Sequence, residues 1–195
     1  MEKNALKGAI EALIFTSESP LKTEKIIELI TDEYGLELEK NEINPLLDEI
    51  AGDFNAEGRG FSLTEVAGGY QFRTKTTYAS LLQKLKAKRP PKFGRAAMEV
   101  LAIIAYRQPI TRAEVEDLRG VDSGGVVRSL LEKRLVRILG RKEVPGKPII
   151  YGTTKTFLEI FNLRNLSQLP TLKEFVELEE VEVERVQSEL NLPES

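Results

Sequence analysis

The sequence predicts a mainly helical α+β protein that carries small β-hairpins. Apolar residues recur at helical spacing in several short stretches, and each set of stretches is followed by a segment in which apolar and polar residues alternate. The order of three helices and one hairpin occurs twice along the 195 residues. This repeated order predicts two tandem winged helix-turn-helix domains.

The first copy opens with three predicted helices, each with a row of apolar residues on one face. The first helix spans about residues 4–17. The second follows Pro20 with Thr23 as its cap, and the third spans about residues 41–55 with Pro45 in its first turn. These stretches form the helical part of a first domain.

A hairpin closes the first copy. The segment "FSLTEVAGGYQFRT" alternates apolar and polar residues on both sides of Gly68 and Gly69, where we expect the turn. We therefore predict an N-terminal winged-helix domain at residues 1–80. The following "KLKAKRPPKFGR" contains six positive charges, no acid and two prolines, which predicts an exposed basic linker at residues 81–95.

The same element order returns in a C-terminal winged-helix domain predicted at residues 96–170. Its first helix spans about residues 96–106 and ends before Pro109, and a short second helix over about residues 112–118 closes at Gly120. We expect the buried side of the first helix to consist of Met98, Leu101, Ala102, Ile104 and Ala105.

The third helix of the second copy follows Asp122 and Ser123, both possible caps. Strands "LVRIL" and "IIYGT" then flank a hairpin tip that contains Pro145 and Gly146, and "TFLEIFNL" predicts one more helix. The remaining residues, 171–195, are strongly acidic and predict a tail or a marginal helix with no assigned role.

The two copies align when Pro20 is placed on Pro109. Leu21 then matches Ile110, and Ile26 matches Val115. The similarity is faint in identity, but the order of elements is preserved. The alignment therefore supports a duplicated fold.

Composition excludes several kinds of chemistry. The chain has no Cys and no His, which removes thiolate nucleophiles, imidazole bases, disulfides and Cys or His zinc sites. Its acidic residues are spread along helix faces, so we expect neither an enzyme nor a bound cofactor or metal. The longest apolar run falls far short of the roughly 20 residues of a membrane span, so we expect a cytoplasmic location.

Charge is unevenly distributed along the chain. Residues 1–70 have a net charge of −9, residues 71–170 a net charge of +12, and residues 171–195 a net charge of −6. A basic surface attracts polyanions and an acidic one repels them, so only the middle block favours nucleic acid. The basic linker and the second hairpin could bind DNA without reading its sequence, or their charges could simply be solvated.

The third helix of the second copy is poorly suited to reading bases. Helix-turn-helix readers present Arg, Lys, Asn or Gln to base edges from the first turns of this helix. Here Gly124 and Gly125 occupy the first turn, and only Arg128 and Ser129 follow as polar candidates. The glycines predict either a turn with positive φ or the close approach of another backbone, and the second explanation favours a peptide-binding surface.

Two stretches carry a resemblance to a known family. "EVLAIIAYRQPITRAEVEDLRGVDS", followed by "GRKEVPGKPIIYGTTKTFLEIFNL" and by "LP" at 169–170, closely resembles the ScpB family of bacterial chromosome-organising proteins. The match is specific from about Glu99 to Pro170, whereas the first 80 residues fit only the general plan of that family.

The resemblance implies two winged-helix domains and a homodimer joined chiefly through the N-terminal domains. It also implies binding to the kleisin subunit, segregation and condensation protein A. Through the kleisin, the protein would join the SMC ATPase in a condensin-like complex for chromosome condensation and partition. No catalytic residue belongs to the family pattern, in agreement with the absence of Cys and His.

We expect the kleisin contact on the second domain, at polar or aromatic residues that helical spacing leaves off the core. These residues are Tyr106, Arg107, Arg119, Asp122, Ser123, Arg128 and Tyr151. A structural explanation competes with this one, because Arg119 and Asp122 could brace the turn and Tyr151 could pack on the first helix. The alternative function is a sequence-specific DNA-binding transcriptional regulator with winged-helix domains.

Overall fold

The computed structural model describes residues 2–85 and 93–171, which form helices with two small antiparallel sheets. Among these residues, those up to Asn165 belong to one compact unit. Those from Leu166 to Thr171 lie outside that unit and contain a short 3-10 turn at Leu166–Gln168. Residues 86–92 of the predicted linker and nearly all of the predicted acidic tail fall outside the described residues.

Three helices form the first half of the chain: α1 at Lys3–Thr16, α2 at Thr23–Tyr34 and α3 at Lys40–Asn55. Each contributes one apolar row to a shared core, as helical periodicity predicts. The fully buried side chains of this core include Ile10, Ile14, Ile26, Ile30, Ile43, Leu47 and Ile50.

Two details of these helices differ from the prediction. Thr23 is the first residue of α2 and not its cap, a position that Lys22 occupies without a side-chain cap bond. Pro45 lies in the second turn of α3, because the helix begins at Lys40. That start is fixed by Glu42, whose Oε2 accepts a hydrogen bond of 2.9 Å from the backbone N–H of Glu39.

The first hairpin pairs β1 at Phe61–Val66 with β2 at Gly69–Thr74. Its turn lies at Ala67 and Gly68, with φ of 51° and 72°, one residue earlier than predicted. Positive φ at both central residues is the type I′ geometry that matches the twist of paired strands.

Gly69 is therefore a strand residue, and a close backbone approach explains it. A Cβ at this position would lie 2.9 Å from the carbonyl carbons of Pro20 and Leu21. Leu21 and Tyr70 exchange two backbone hydrogen bonds, of 2.9 and 2.8 Å. The segment between α1 and α2 thus pairs with the edge of the hairpin.

A short 3-10 turn at Thr76–Tyr78 and helix α4 at Ala79–Leu85 follow the hairpin. None of the residues of α4 is buried, and Leu81 is 63% exposed. The helix therefore presents an apolar row to solvent.

The second half repeats the order of three helices and a hairpin. A three-stranded sheet has the order β3, β5, β4, and a short helix follows it. The elements are α5 at Arg95–Arg107, β3 at Ile110–Thr111, α6 at Arg112–Arg119, α7 at Gly124–Glu132, β4 at Val136–Arg141, β5 at Ile149–Thr153 and α8 at Lys155–Ile160.

Strand pairing supports the alignment of the two copies. Leu21 pairs with Tyr70 in the first hairpin, and Ile110 pairs with Tyr151 in the second sheet. The two-residue strand β3 thus corresponds to the single bridge at Leu21.

The apolar row predicted for α5 is partly wrong. Met98 is 40% exposed and Ala102 is also exposed, whereas Val100 is fully buried. The residues that α5 buries are Val100, Leu101, Ile104 and Ala105.

Within residues 2–85 and 93–171, no helix combines the length and the apolar character that a membrane crossing requires.

We expect Gly69→Ala to destabilise the protein by about 1–3 kcal/mol, because the added methyl group must push the hairpin away from Pro20 and Leu21. Urea denaturation followed by circular dichroism measures the change. Gly52→Ala is the matched control, since a Cβ at Gly52 meets open space and alanine favours the helix by up to about 1 kcal/mol. Equal stability of the two variants would contradict the prediction.

Candidate functional site

A groove lies where the end of α5, strand β3 and helix α6 meet. It is open to solvent and has a volume of about 380 Å³. Its lining residues are Arg107, Pro109, Ile110, Glu114, Asp117 and Leu118.

The groove combines apolar and charged surface. Ile110 is buried, whereas Leu118 is 57% exposed although it is apolar. The side chains of Arg107 and Asp117 are exposed and bring opposite charges to the same groove. An apolar surface bordered by a few charges is typical of sites that bind a polypeptide or a small molecule.

The N-terminus of α6 is fixed by a capping box. The backbone N–H of Thr111 donates to Glu114 Oε2 at 2.8 Å, and the backbone N–H of Glu114 donates to Thr111 Oγ1 at 3.3 Å. Lys142, in the tip of the second hairpin, reaches the other carboxylate oxygen of Glu114 at 2.6 Å. These bonds hold the pKa of Glu114 to about 2, with the Lys142 bond as the largest cause and the Thr111 bonds next.

The turn between α6 and α7 is braced by Arg119, whose side chain is only 8% exposed. Its Nε and Nη2 donate to Glu99 Oε2 at 3.2 and 3.1 Å, and its Nη1 donates to Ser123 Oγ at 2.8 Å. The backbone N–H of Ser123 donates to Glu116 Oε1 at 3.1 Å. This partly buried network holds the turn in one geometry.

The predicted contact residues divide into two groups. Tyr106, Arg107, Asp122 and Arg128 are exposed, while Ser123 and Tyr151 are buried and Arg119 is nearly so. Tyr151 lies in the central strand of the sheet, between Ile110 and Ile138. Of the seven residues, Arg107 is the one that lines the groove.

The first explanation predicted for the glycines of α7 is wrong, because neither Gly124 nor Gly125 has a positive φ. The close approach of a partner's backbone stays a prediction. A Cβ at Gly124 would lie 3.0 Å from Nη1 of Arg112, a flexible side chain, and a Cβ at Gly125 would meet nothing.

Sequence reasoning missed Gln108, which joins the end of α5 to β5. The backbone N–H of Thr153 donates to Gln108 Oε1 at 2.8 Å, and Gln108 Nε2 donates to Thr153 Oγ1 at 3.0 Å. Gly152 allows this, because a Cβ there would lie 2.6 Å from Gln108 Oε1. No local pattern signals such a contact. The capping box at Thr111 and Glu114 was visible as a T-x-x-E spacing.

The basic residues of the second hairpin mostly have partners within the chain. Arg137 Nε donates to the carbonyl of Thr153 at 3.2 Å, and Arg141 Nη1 donates to the carbonyl of Lys147 at 3.0 Å. Lys142 is held by Glu114. These side chains are therefore not an unpaired row of cations along the hairpin.

The described part of the chain contains no group of three or more acidic residues that could hold a metal ion. The fold and the groove define a class of protein in which an arrangement of three helices and a hairpin is duplicated and carries a groove bordered by charges. Comparison of the sequence with known families identifies the family of this chain. The chain belongs to the family described as segregation and condensation complex subunit ScpB, whose family model matches residues 8–172.

Curated relatives support the assignment. The chain is 51% identical over 178 residues to segregation and condensation protein B of Syntrophotalea carbinolica, covering 91% of this chain and 87% of the relative. It is 41% identical over 171 residues to the protein of that name in Bacillus subtilis, covering 88% and 84%.

Solved structures of ScpB superpose less well as whole chains. The crystal structure of ScpB from Mycobacterium tuberculosis is 28% identical, covers 84% of this chain and 98% of its own, and has a TM-score of 0.40. The family assignment therefore depends on sequence.

We expect Glu114→Gln to lower the free energy of unfolding by up to about 1 kcal/mol at neutral pH, because glutamine keeps a capping acceptor but loses the ion pair with Lys142 and the negative charge at the N-terminus of α6. The pKa of Glu114 is lower in the folded state, about 2 against 4.5, so its contribution is present above pH 4.5 and disappears as the pH falls towards 2. The difference between wild type and variant should therefore shrink over that interval.

Urea denaturation at a series of pH values measures this difference. Glu143→Gln, at an exposed position of the hairpin tip, controls for the loss of one negative charge. A difference that stays constant down to pH 2 would show that the capping carboxylate has no special role.

Proposed function

We propose that this protein is a non-catalytic adaptor subunit of a bacterial SMC condensin-like complex and that it binds the kleisin subunit, segregation and condensation protein A. The match of the ScpB family model to residues 8–172 is the observation that carries the proposal. Chromosome condensation and segregation is the corresponding role. ATP hydrolysis belongs to the SMC ATPase, which the adaptor contacts through the kleisin. The adaptor is located in the cytoplasm, at the nucleoid.

We propose that the fold consists of two tandem winged-helix domains, at residues 1–80 and 96–170, joined by a basic linker at 81–95 and followed by an acidic tail at 171–195. The repeated order of elements supports this division, as does the correspondence of the Leu21–Tyr70 and Ile110–Tyr151 pairs. The first domain serves self-association, and the second binds the kleisin.

The groove beside α6 is the proposed kleisin site. Leu118 offers an apolar contact on its rim, and the buried Ile110 gives it a rigid floor. Arg107 and Asp117 set opposite charges at the rim, which would orient a polypeptide that carries both signs. Fixed walls favour binding because little order is lost when the partner docks.

The predicted contact residues take two roles in this proposal. Tyr106, Arg107, Asp122 and Arg128 are exposed and contact the kleisin directly. The more buried residues Arg119, Ser123 and Tyr151 position the surface, since they hold the turn before α7 and the centre of the sheet.

Self-association is proposed to use helix α4 together with the first domain. None of the side chains of α4 at Ala79–Leu85 is buried, so α4 offers an apolar surface that a second copy could cover. The leucines of α4 are exposed large hydrophobic residues, as are Phe15 and Tyr34 of the first domain. The acidic first domain, with a net charge of −9 over residues 1–70, would also attract the basic linker of a second copy.

The alternative function is sequence-specific DNA binding by the same domains. Arg128 is exposed on α7 and would be the base-reading side chain. Two observations disfavour this alternative: α7 has no side chains at Gly124 and Gly125, and Arg137, Arg141 and Lys142 are engaged within the chain. Unspecific contact with DNA, by the linker and the second hairpin, is compatible with the adaptor role.

We expect the full chain to bind the central segment of the kleisin and Leu118→Asp to weaken that binding about 10-fold or more. The reason is that a leucine side chain buried by the partner contributes roughly 1.5–3 kcal/mol to the binding free energy. Isothermal titration calorimetry measures the affinity. Val144→Asp is the matched control, because it places an aspartate on an exposed apolar residue outside both the groove and the proposed dimer contact.

Two results would contradict the kleisin assignment. One is the absence of heat of binding at micromolar concentration for the unaltered chain. The other is a preference for one DNA duplex over a scrambled duplex of equal length that Arg128→Ala abolishes.

We expect Leu81→Asp to convert the homodimer to a monomer, because an aspartate in an apolar contact between two copies would be buried without a partner. Multi-angle light scattering should then report 21.9 kDa instead of twice that mass. Leu118→Asp controls for the added charge and should stay dimeric. A Leu81→Asp protein that keeps the doubled mass would exclude α4 from the interface.

A further inference from the structure

The hairpin of the first half contacts the corner that follows α8 in the second half. Four polar contacts join them, and both partners lie within the compact unit that ends at Asn165. The backbone N–H of Ala67 donates to the carbonyl of Leu163 at 2.9 Å, and Arg164 Nε lies 3.0 Å from Glu65 Oε2. Two further bonds come from Arg73.

Arg73 is the central donor of this contact. Its Nη1 donates to the carbonyl of Glu159 at 2.9 Å and to Asn162 Oδ1 at 3.2 Å. Its Nε and Nη2 are held by Gln71 Oε1 at 3.2 and 3.1 Å. The guanidinium fork is thus oriented by its own strand before it meets the second half.

Both sides of the contact contain a residue other than glycine with a positive φ. Ala67 has a φ of 51° and Asn162 a φ of 55°, and positive φ is costly for an alanine. At Asn162 the chain reverses, and the backbone N–H of Leu163 closes the corner by donating to the carbonyl of Leu158 at 2.8 Å. The carbonyl of Leu163 then accepts from Ala67. The contact therefore joins two turns, at Ala67 and Asn162, whose backbone conformations are restricted.

We propose that these contacts form a releasable latch between the two halves of the chain, with Arg73 as its main donor. All four contacts are polar, and the outer ion pair is screened by solvent because the Arg164 side chain is 54% exposed. Contacts of this kind hold one orientation at small cost and open readily. The closed latch fixes the groove-bearing half against the hairpin, and the open latch releases it from the hairpin.

Distances between paired spin labels test the latch. The chain has no natural cysteine, so Asp32→Cys and Glu132→Cys place one label on an exposed site of each half. The labelled chain is diluted into an excess of unlabelled chain, so that only distances within one copy are measured. Pulsed electron paramagnetic resonance should give a single narrow distance peak.

We expect Arg73→Ala to abolish the narrow peak, and the conservative Arg73→Lys to do the same because it lacks the fork. Arg59→Ala removes the same charge from the first half without touching the latch, so it should keep the peak.

A charge exchange keeps the test decisive if Arg73→Ala fails to fold. Glu65→Arg should broaden the distribution by repelling Arg164, and the double variant Glu65→Arg/Arg164→Glu should restore the narrow peak. The proposal is overturned if the peak survives both Arg73→Ala and Glu65→Arg. It is also overturned if the doubly labelled chain, with Arg73 and Glu65 intact, loses its narrow peak when it is diluted into unlabelled chain. The contact would then join two copies.

Discussion

The structure depends on one pairing, made twice, between the segment that follows a first helix and the edge of a hairpin. The helices of the first half are 12 to 16 residues long, a length at which isolated helices are only marginally stable. Burial of their apolar rows stabilises them, and the hairpin closes that core. Leu21 on Tyr70 and Ile110 on Tyr151 hold each hairpin to its helices.

The same pairing positions the groove. Strand β3 begins at Ile110, and Thr111 is both its second residue and the cap of α6, so the sheet fixes where that helix starts. Glu114 then ties α6 to the tip of the second hairpin through Lys142. At the other end of α6, Arg119 ties the turn to Glu99 on α5. The helix that carries Leu118 and Asp117 is held at both ends, so the groove needs little ordering when a partner binds.

Local pattern predicted the two hairpins and the helices other than α4, because periodicity reflects which face is buried; the residues of α4 from Leu81 on were predicted to be exposed linker. It failed where a distant part of the chain decides. The two-residue strand β3 exists only because β5 pairs with it, and Gly69 is required by the backbone of Pro20 and Leu21. The sequence left open whether Arg119 braces the turn or contacts a partner, since polarity predicts exposure unless a partner such as Glu99 is known.

The distribution of charge favours the proposed polypeptide binding over the alternative of reading DNA. Glu49 and Asp53 on α3 form ion pairs with lysines of α1, so the third helix of the first half presents acid that is neutralised within the chain and gives a phosphate backbone nothing to bind. In the second hairpin Lys142 is paired with Glu114, whereas Arg137 and Arg141 keep their charge but donate N–H groups to backbone carbonyls, which leaves fewer donors for phosphate oxygens. The groove keeps exposed apolar surface at Leu118, which a duplex cannot cover and a side chain can.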